Sequence, residues 1–261
     1  EMTIAKRILL LMALLGSATA FAENEFIVAD SDRVFRDPLK QKIVKSVAFI
    51  TQGRVQGSGI FISPIHVLTA AHVLEQMDCA QVVKVQTMMQ PGRRPVVRGR
   101  NVACDDPDAV YFIDKKLDIA LFEVNRAVRD YVPITRQDPV SRGVEVFGLG
   151  YTTQAFMGHT RSCRVTAQRG QSRNVYTPTG TMLNLYDFFT ADCNLAPGMS
   201  GGPILAFSTN DPEPKLLGLN ALIVRENNRP YEIVGGFARI NDAIRAHPDD
   251  FEAVFDMYGA R

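Results

Sequence analysis

Twelve short segments rich in Val, Ile and Phe alternate with clusters of Gly, Pro, Asp and Asn, and this spacing limits the fold most strongly. The first series is KIVKSVAFITQG, GSGIFISPIHVLTAA, AQVVKVQTMM, PVVRGRNVAC, AVYFID and DIALFEV. The second is GVEVFGLG, HTRSCRVTAQRG, MLNLYDFFTADC, GGPILAF, KLLGLNALIVRE and YEIVGGFARI. Such segments are typical of antiparallel strands. The pattern predicts an all-β protein with two successive sets of about six strands, at about 40–125 and 140–240.

Two segments have a helical pattern instead. One is a turn or two after Ala71, and the other is the C-terminal segment at about 241–258, where apolar residues recur three to four positions apart. Asn241 or Asp242 is the expected N-cap, and Pro248 is expected to break or kink the helix. We expect this helix to cover one end of the β-structure, with partner binding as the alternative.

The amino end has the three parts of a secretory signal peptide. Lys6 and Arg7 precede an apolar run at 8–16, and small residues lead to Ala22. The run is shorter than the roughly 18 apolar residues that span a bilayer. We therefore expect a signal peptide at 1–22, cleavage after Ala22 and a secreted or periplasmic product at 23–261 without a membrane anchor. An uncleaved anchor or a buried helix is the alternative.

Net charge and cysteine content indicate which partners, disulfides and metal sites to expect. The net charge of +1 provides no extended basic surface, so nucleic acid is not an expected partner. Four cysteines in an exported chain predict two disulfides. Three connectivities are possible, and we favour Cys79 with Cys104 and Cys163 with Cys193, because each pair lies within one half of the chain. No pair has the short C-x-x-C spacing of zinc sites, so no metal is expected.

The segment CNLAPGMSGGPI places Ser200 among glycines and prolines. Glycines on both sides allow backbone conformations that other residues rarely adopt and leave room for a substrate. Neighbouring amides near the serine can then point at one spot, as in sites that stabilise an oxyanion. A tight turn between strands has a similar composition. A serine nucleophile requires a base and an acid that orients it.

The chain has four histidines as candidates for that base. His72 ends VLTAAH, where an apolar strand runs into small residues, and it is the best placed. His66 lies between Ile65 and Val67 and is interpreted as a side chain on the strand surface. His159 and His247 lie in loop-like or helical contexts.

Asp118, in KKLDIALFEV, is the candidate for the orienting carboxylate. Strand alternation would place it opposite apolar neighbours, where a buried carboxylate requires strong hydrogen bonds. An imidazole N–H would satisfy it. Asp114 competes for this role, and a strand start or turn cap is the structural alternative.

TAAH with His72, DIAL with Asp118 and GMSGGP with Ser200 occur in an order that resembles the trypsin-like (chymotrypsin-fold) serine peptidases. The segments DSDRVFRDPLKQKIVKSVAFI and GSGIFISPIHVLTAAHVL are most similar to bacterial glutamyl endopeptidases and their relatives. The resemblance implies two perpendicular six-stranded β-barrels with the site in the cleft between them. It also implies a polypeptide substrate and no metal or organic cofactor.

Residue by residue, the resemblance makes Ser200 the nucleophile, His72 the general base and acid, and Asp118 the orienting carboxylate. It makes the amides of Gly198 and Ser200 the oxyanion hole. Hydrolysis would then proceed through an acyl-enzyme on Ser200.

Several positions depart from better-known relatives. Met199 replaces the aspartate that pairs with a new amino terminus in digestive enzymes, and Asn194 replaces the aspartate that binds basic side chains in trypsin. Asn220 replaces the pocket histidine of glutamyl endopeptidases, which disfavours cleavage after Glu. We therefore expect a mixed or apolar substrate pocket. Its candidate residues are Asn194, Leu195, Asn220, Ala221 and Leu222.

The sequence thus predicts a monomeric, secreted serine endopeptidase. Two alternatives remain: a protease of the HtrA quality-control type, and a non-catalytic binding protein on the same scaffold. The first usually carries an added peptide-binding domain, and this sequence ends one helix after the second set of strands. The second typically lacks a residue of the Ser-His-Asp set, and all three are present here.

Overall fold

A computed structural model of the protein describes most of the chain after the amino end. The described residues are 27–28, 38–87, 109–134, 140–153, 157–160, 163–170, 172, 174–177, 179–208, 211–225 and 233–258. Antiparallel strands are the predominant secondary structure among them, and helices are few. No helix in these ranges is both long enough and apolar enough to cross a membrane.

The first half forms a six-stranded antiparallel sheet. Its strands are β2 (Val47–Gln52), β3 (Val55–Phe61), β4 (His66–Thr69), β5 (Lys84–Thr87), β6 (Val110–Asp114) and β7 (Ile119–Glu123). Their order in the sheet is β5-β2-β3-β4-β7-β6. Almost every residue of β4 and β7 is buried, because both strands lie inside the sheet and both faces are covered. The predicted strand PVVRGRNVAC lies outside the described residues.

The described part of the second half contains nine strands, which are β8 (Glu145–Tyr151), β9 (Met157–His159), β10 (Cys163–Ala167), β11 (Asn174–Tyr176), β12 (Met182–Asn184), β13 (Phe188–Ala191), β14 (Pro203–Ser208), β15 (Asp211–Arg225) and β16 (Ile233–Arg239). Six of them close into a ring in the order β8-β10-β13-β16-β15-β14 and back to β8. Strand β9 and the short strand β1 (Ile27–Val28) extend this sheet at β8 to eight strands. The strands β11 and β12 form a separate hairpin.

The architecture confirms the predicted fold class, an all-β protein with two six-stranded antiparallel units and a helical C-terminal segment. The main hydrophobic cluster contains side chains of both units, so the two units share one apolar core. Cross-strand pairs stabilise the second unit; Phe189 lies opposite Phe237, and their rings stack 5.0 Å apart.

The helices follow the predictions with two corrections. A helix, α1 (Pro38–Ser46), occupies the start of the segment predicted as the first strand, and β2 begins only at Val47. The short helix after Ala71 is present as α2 (Ala71–Glu75). The C-terminal segment divides at the proline, as expected, into α3 (Ile240–Ala246) and α4 (Pro248–Tyr258). Arg239 occupies the N-cap of α3, so the predicted caps Asn241 and Asp242 are wrong.

The C-terminal segment contacts both sheets: α3 packs against β15 of the second, and the residues that follow it contact β6 of the first. His247, between α3 and α4, stacks on Phe112 with 3.9 Å between ring centroids. Its Nε2 lies 3.0 Å from Asp114 Oδ2. Phe251 of α4 is fully buried and also contacts Phe112. The helices therefore tie the end of the chain to β6.

The cysteines agree with the predicted pairing as far as they are described. Cys163 and Cys193 form a disulfide that joins β10 to the segment after β13. Cys79 is also disulfide-bonded, and its predicted partner Cys104 lies outside the described residues.

His66 is fully buried, so the expectation of a strand-surface side chain is wrong. Its Nδ1 lies 2.6 Å from Ser63 Oγ, and its Nε2 lies 2.9 Å from the Tyr111 hydroxyl. Sequence alternation did not reveal this burial because both faces of β4 are covered. Burial lowers the pKa of His66 from 6.5 to about 4.

We predict that Cys163→Ala/Cys193→Ala lowers the free energy of unfolding by about 3–4 kcal/mol, because the disulfide closes a loop with a sequence separation of 30. Urea unfolding without reductant measures this difference. An unchanged midpoint would show that the bridge does not restrict the unfolded chain.

We predict that His66 makes stability depend on pH. The unfolded chain binds a proton at His66 near pH 6.5, whereas the folded chain binds it only near pH 4. The free energy of unfolding therefore falls as pH decreases from about 6.5 to about 4. Thermal melts across this range should show a smaller decrease for His66→Gln than for the parent protein. Parallel curves would contradict the prediction.

Candidate active site

His72 and Asp118 form a buried pair at the edge of the first sheet. His72 lies in α2, directly after β4, and its exposed fraction is 2%. The Asp118 carboxylate accepts a hydrogen bond from the His72 backbone N–H at 2.9 Å, through Oδ1. Its Oδ2 lies 2.8 Å from His72 Nδ1. The aspartate therefore fixes both the backbone and the ring of the histidine.

Asp118 reaches this position from a turn and not from a strand, which corrects the sequence interpretation. It immediately precedes β7 and has a φ of 53°, a left-handed conformation that is uncommon outside glycine. Asp114 does not compete for His72. Its Oδ1 accepts a hydrogen bond from Leu117 N–H, and its Oδ2 faces His247.

The Asp118 carboxylate determines which ring nitrogen of His72 can accept a proton. A carboxylate next to Nδ1 favours the tautomer with the proton on Nδ1, which leaves Nε2 as an acceptor. His72 and Ser200 line the same cavity of about 470 Å³. Among the hydrogen bonds of the described residues, none joins the Ser200 hydroxyl to His72. The structure thus places the two side chains at one cavity without a hydrogen bond between them.

Ser200 lies in a loop at residues 193–202, here called the serine loop. Two of its glycines have positive φ, 94° at Gly198 and 80° at Gly201. A Cβ at Gly198 would lie 2.7 Å from backbone atoms of Thr152 and Thr153, and one at Gly201 would lie 2.3 Å from the Ser58 carbonyl oxygen. Only glycine fits these positions, which explains the glycines on both sides of the serine.

Hydrogen bonds orient the two peptide groups that contain the Gly198 and Ser200 amides. The Pro197 carbonyl accepts a hydrogen bond from Thr153 N–H at 3.1 Å. The Met199 carbonyl accepts from Asn220 Nδ2 at 3.2 Å. In a trans peptide, the N–H points away from the C=O. The Gly198 and Ser200 amides therefore point away from these partners, and neither has a hydrogen-bond acceptor among the described residues.

The cavity contains some of the predicted pocket residues. Leu195, Asn220 and Ala221 line it, whereas Asn194 is not among its lining residues in the described chain. The side chain of Leu222 lies outside the described residues. Asn220 is 1% exposed, and its Nδ2 donates to the Leu149 and Met199 carbonyls, so it supports the serine loop as well as the cavity.

Several cavity residues were not identified from the sequence. Val73 follows His72 on α2, Gln76 is the residue directly after that helix, and Gln56 comes from β3. Tyr176 and Thr177 come from the β11–β12 hairpin, far away in sequence. The spacing from His72 on a helix could have indicated the first two. The hairpin residues had no sequence signal.

Neither His159 nor His247, the other histidines predicted to lie in loop-like or helical contexts, is among the described residues that line this cavity. Within the ranges that the structure describes, no three His, Cys, Asp or Glu side chains are grouped to bind a metal ion. His159 Nδ1 contacts the Thr160 carbonyl, and His247 lies on the C-terminal segment.

Solved structures share this fold at low sequence identity. The Rv3671c protease of M. tuberculosis in its active form is 19% identical and superposes with a TM-score of 0.59, over 82% of this chain and 83% of that chain. A serine endoprotease of Yersinia pestis is 18% identical with a TM-score of 0.56, over 81% of this chain and 65% of that one. The MamO protease domain of Magnetospirillum magneticum is also 18% identical with a TM-score of 0.56, over 80% and 98%.

The sequence itself matches a family model. Comparison with curated proteins finds no match. The model of the trypsin-like peptidase domain, however, matches residues 57–211, more than half of the chain, and this range includes His72, Asp118 and Ser200. The glutamyl-endopeptidase subtype suggested by the sequence has no support from these comparisons. The chain belongs to the trypsin-like peptidase family, and it is a serine endopeptidase.

Proposed function

We propose that Ser200, His72 and Asp118 form the catalytic triad of this endopeptidase. The single observation that best supports the assignment is the buried His72–Asp118 pair, with 2.8 Å between Nδ1 and Oδ2, at the cavity that Ser200 lines. A buried carboxylate without a partner would be costly, and the imidazole is the partner that this chain provides. The pair leaves Nε2 as the proton acceptor for a serine hydroxyl.

In this mechanism His72 Nε2 takes the proton of the Ser200 hydroxyl while Ser200 Oγ attacks the carbonyl carbon of the scissile peptide. The imidazolium is stabilised by Asp118 and returns its proton to the leaving amine, which leaves an acyl-enzyme. Water then attacks the ester carbonyl while His72 Nε2 takes its proton; the bond to Ser200 Oγ breaks, His72 returns the proton to that oxygen, and the carboxylic acid product leaves. A hydrogen bond between Ser200 and His72 has to form on substrate binding, as catalytic contacts often tighten only in the complex.

The amides of Gly198 and Ser200 form the oxyanion hole in this proposal. Their orientation, away from Thr153 and Asn220, and their lack of protein acceptors among the described residues support this role. Fixed N–H groups stabilise the developing negative charge on the substrate oxygen without having to reorient during the reaction.

The substrate pocket favours uncharged side chains before the scissile bond. None of the residues that line the cavity in the described chain is Asp, Glu, Lys or Arg. A charged substrate side chain would lose its hydration there without gaining an ion pair. Leu195, Ala221 and Val73 provide apolar surface, and Asn220 adds a buried amide.

We further propose that the enzyme is exported and acts as a monomer, with the peptidase domain at 23–261 after a signal peptide at 1–22. The Cys163–Cys193 disulfide supports export, because such bonds persist in oxidising compartments.

We predict that Ser200→Ala lowers kcat for peptide hydrolysis by roughly 10⁴–10⁶-fold and abolishes labelling by a fluorophosphonate probe. His72→Ala should cause a loss of the same order, because triad residues act as a unit. Ser141→Ala, at an exposed loop serine, is the matched control and should keep full activity and labelling. Circular dichroism checks that each variant is folded.

The same experiment distinguishes catalysis from peptide binding alone. If the folded parent protein neither cleaves a peptide library nor reacts with the probe, the non-catalytic alternative is correct.

We predict that kcat/KM for peptides with an uncharged residue before the scissile bond exceeds that for Lys, Arg or Glu by at least about 10-fold. Leu195→Asp should raise the relative rate after Lys and Arg, because it places a carboxylate at the cavity. Peptide libraries with one varied position measure both effects. Equal cleavage after all residues, or a preference for Glu, would exclude the proposed pocket.

A further inference from the structure

Ser58 is a fully buried serine of β3 that contacts the serine loop from the opposite sheet. Its backbone N–H donates to the Ser200 carbonyl at 2.7 Å. Its hydroxyl donates to the Gly198 carbonyl at 2.9 Å and accepts from Tyr151 N–H at 2.7 Å. One residue thus holds the carbonyls on both sides of Met199.

Two hydrogen bonds fix the orientation of the Ser58 hydroxyl. It donates one hydrogen bond and accepts one, so its rotor is fixed by Gly198 on one side and Tyr151 on the other. A Cβ at Gly150 would lie 3.1 Å from Ser58 Oγ, so the space around the hydroxyl is narrow. The Ser58 carbonyl accepts from Thr69 Oγ1 at 2.6 Å. Neighbouring strands therefore fix the position of Ser58 itself.

These contacts act on the peptide groups next to the two amides of the oxyanion hole. The Gly198 carbonyl belongs to the peptide that follows the Gly198 N–H, and the Ser200 carbonyl belongs to the peptide that follows the Ser200 N–H. Gly198 has a φ of 94°, which lies in the left-handed region. Because glycine has no Cβ, its backbone can also adopt many other conformations. Without the Ser58 hydroxyl, the Gly198 carbonyl loses the side-chain partner that opposes its rotation.

We propose that Ser58 is a positioning residue that keeps the Gly198 and Ser200 amides aimed at the substrate oxygen. This inference rests on the proposed function of those amides. Ser58 touches neither substrate nor the reacting atoms and acts through the serine loop. Its loss lowers transition-state stabilisation and leaves ground-state binding of the peptide intact.

The test compares Ser58→Ala with Ser63→Ala. Ser63 is also fully buried, and its hydroxyl accepts from the N–H groups of Ile65 and His66 at a turn away from the serine loop. Both variants lose a buried hydroxyl that accepts backbone hydrogen bonds, so both are expected to lower the melting temperature. Only Ser58→Ala should lower kcat, by about 10–100-fold, with KM changed less than about 3-fold.

A peptide boronic acid provides the readout that a merely structural role would not change, because it forms a tetrahedral adduct with Ser200. Its inhibition constant should rise for Ser58→Ala by the same factor as kcat falls. The dissociation constant of the uncleaved peptide, measured in Ser200→Ala with and without Ser58→Ala, should stay the same. If Ser58→Ala does not fold, Ser58→Cys fills the space with a weak donor and should show the same loss.

The outcomes separate this inference from the proposed function. An inactive parent protein would overturn the proposed function and this inference with it. An active parent protein with unchanged kcat and boronate affinity in Ser58→Ala or Ser58→Cys would overturn the role of Ser58 alone. A rise in KM and in the peptide dissociation constant, with unchanged kcat, would also overturn it.

Discussion

A hydrogen bond of 2.7 Å between Ser58 N–H and the Ser200 carbonyl joins β3 of the first sheet to the serine loop of the second. Further bonds reach the same loop from Thr153, Asn220 and the Ser58 hydroxyl. The loop carries two glycines with positive φ, which by themselves allow many conformations. Its shape is therefore imposed by the strands around it, and the proposed amide geometry depends on how the two halves of the protein pack.

The His72–Asp118 pair depends on the same packing. Asp118 is 1% exposed and has a left-handed backbone conformation, and both features are costly in isolation. The carboxylate is satisfied by two groups of one residue, the backbone N–H and the ring nitrogen of His72. Asp114 supports the turn that leads to Asp118 through Leu117 and is itself in contact with His247. The C-terminal helices thus stabilise the region of the turn that carries the aspartate.

Sequence patterns predicted most of the fold, and they identified several of the residues that line the proposed site. Short β-rich segments between turn residues predicted the two sheets, and Pro248 predicted the break between the final helices. The patterns failed where tertiary context decides. The segment around Ile43 and Val44 is apolar enough for a strand but forms a helix, and the burial of His66 depends on cover on both faces of β4.

The candidate site also has features that depend on tertiary contacts and have no local sequence pattern. Gly198 and Gly201 indicated a constrained loop, but no local pattern could indicate that Tyr176 of a distant hairpin lines the cavity. A local pattern also could not show that Asn220 and Ser58 hold the serine loop, because those hydrogen bonds join residues 21 and 140 positions apart. Asp118 was identified by its apolar neighbours, whereas its position is set by a turn with positive φ.

In the proposed mechanism Ser200 carries the acyl group during hydrolysis. Mixing the enzyme with a slowly deacylated p-nitrophenyl ester, quenching in acid during turnover and mapping peptides by mass spectrometry tests it directly. We expect an acyl adduct on the peptide that contains Ser200, formed at the rate of the nitrophenol burst and absent in Ser200→Ala. Turnover without an adduct at Ser200, or an adduct on another residue that forms at the burst rate, would contradict it.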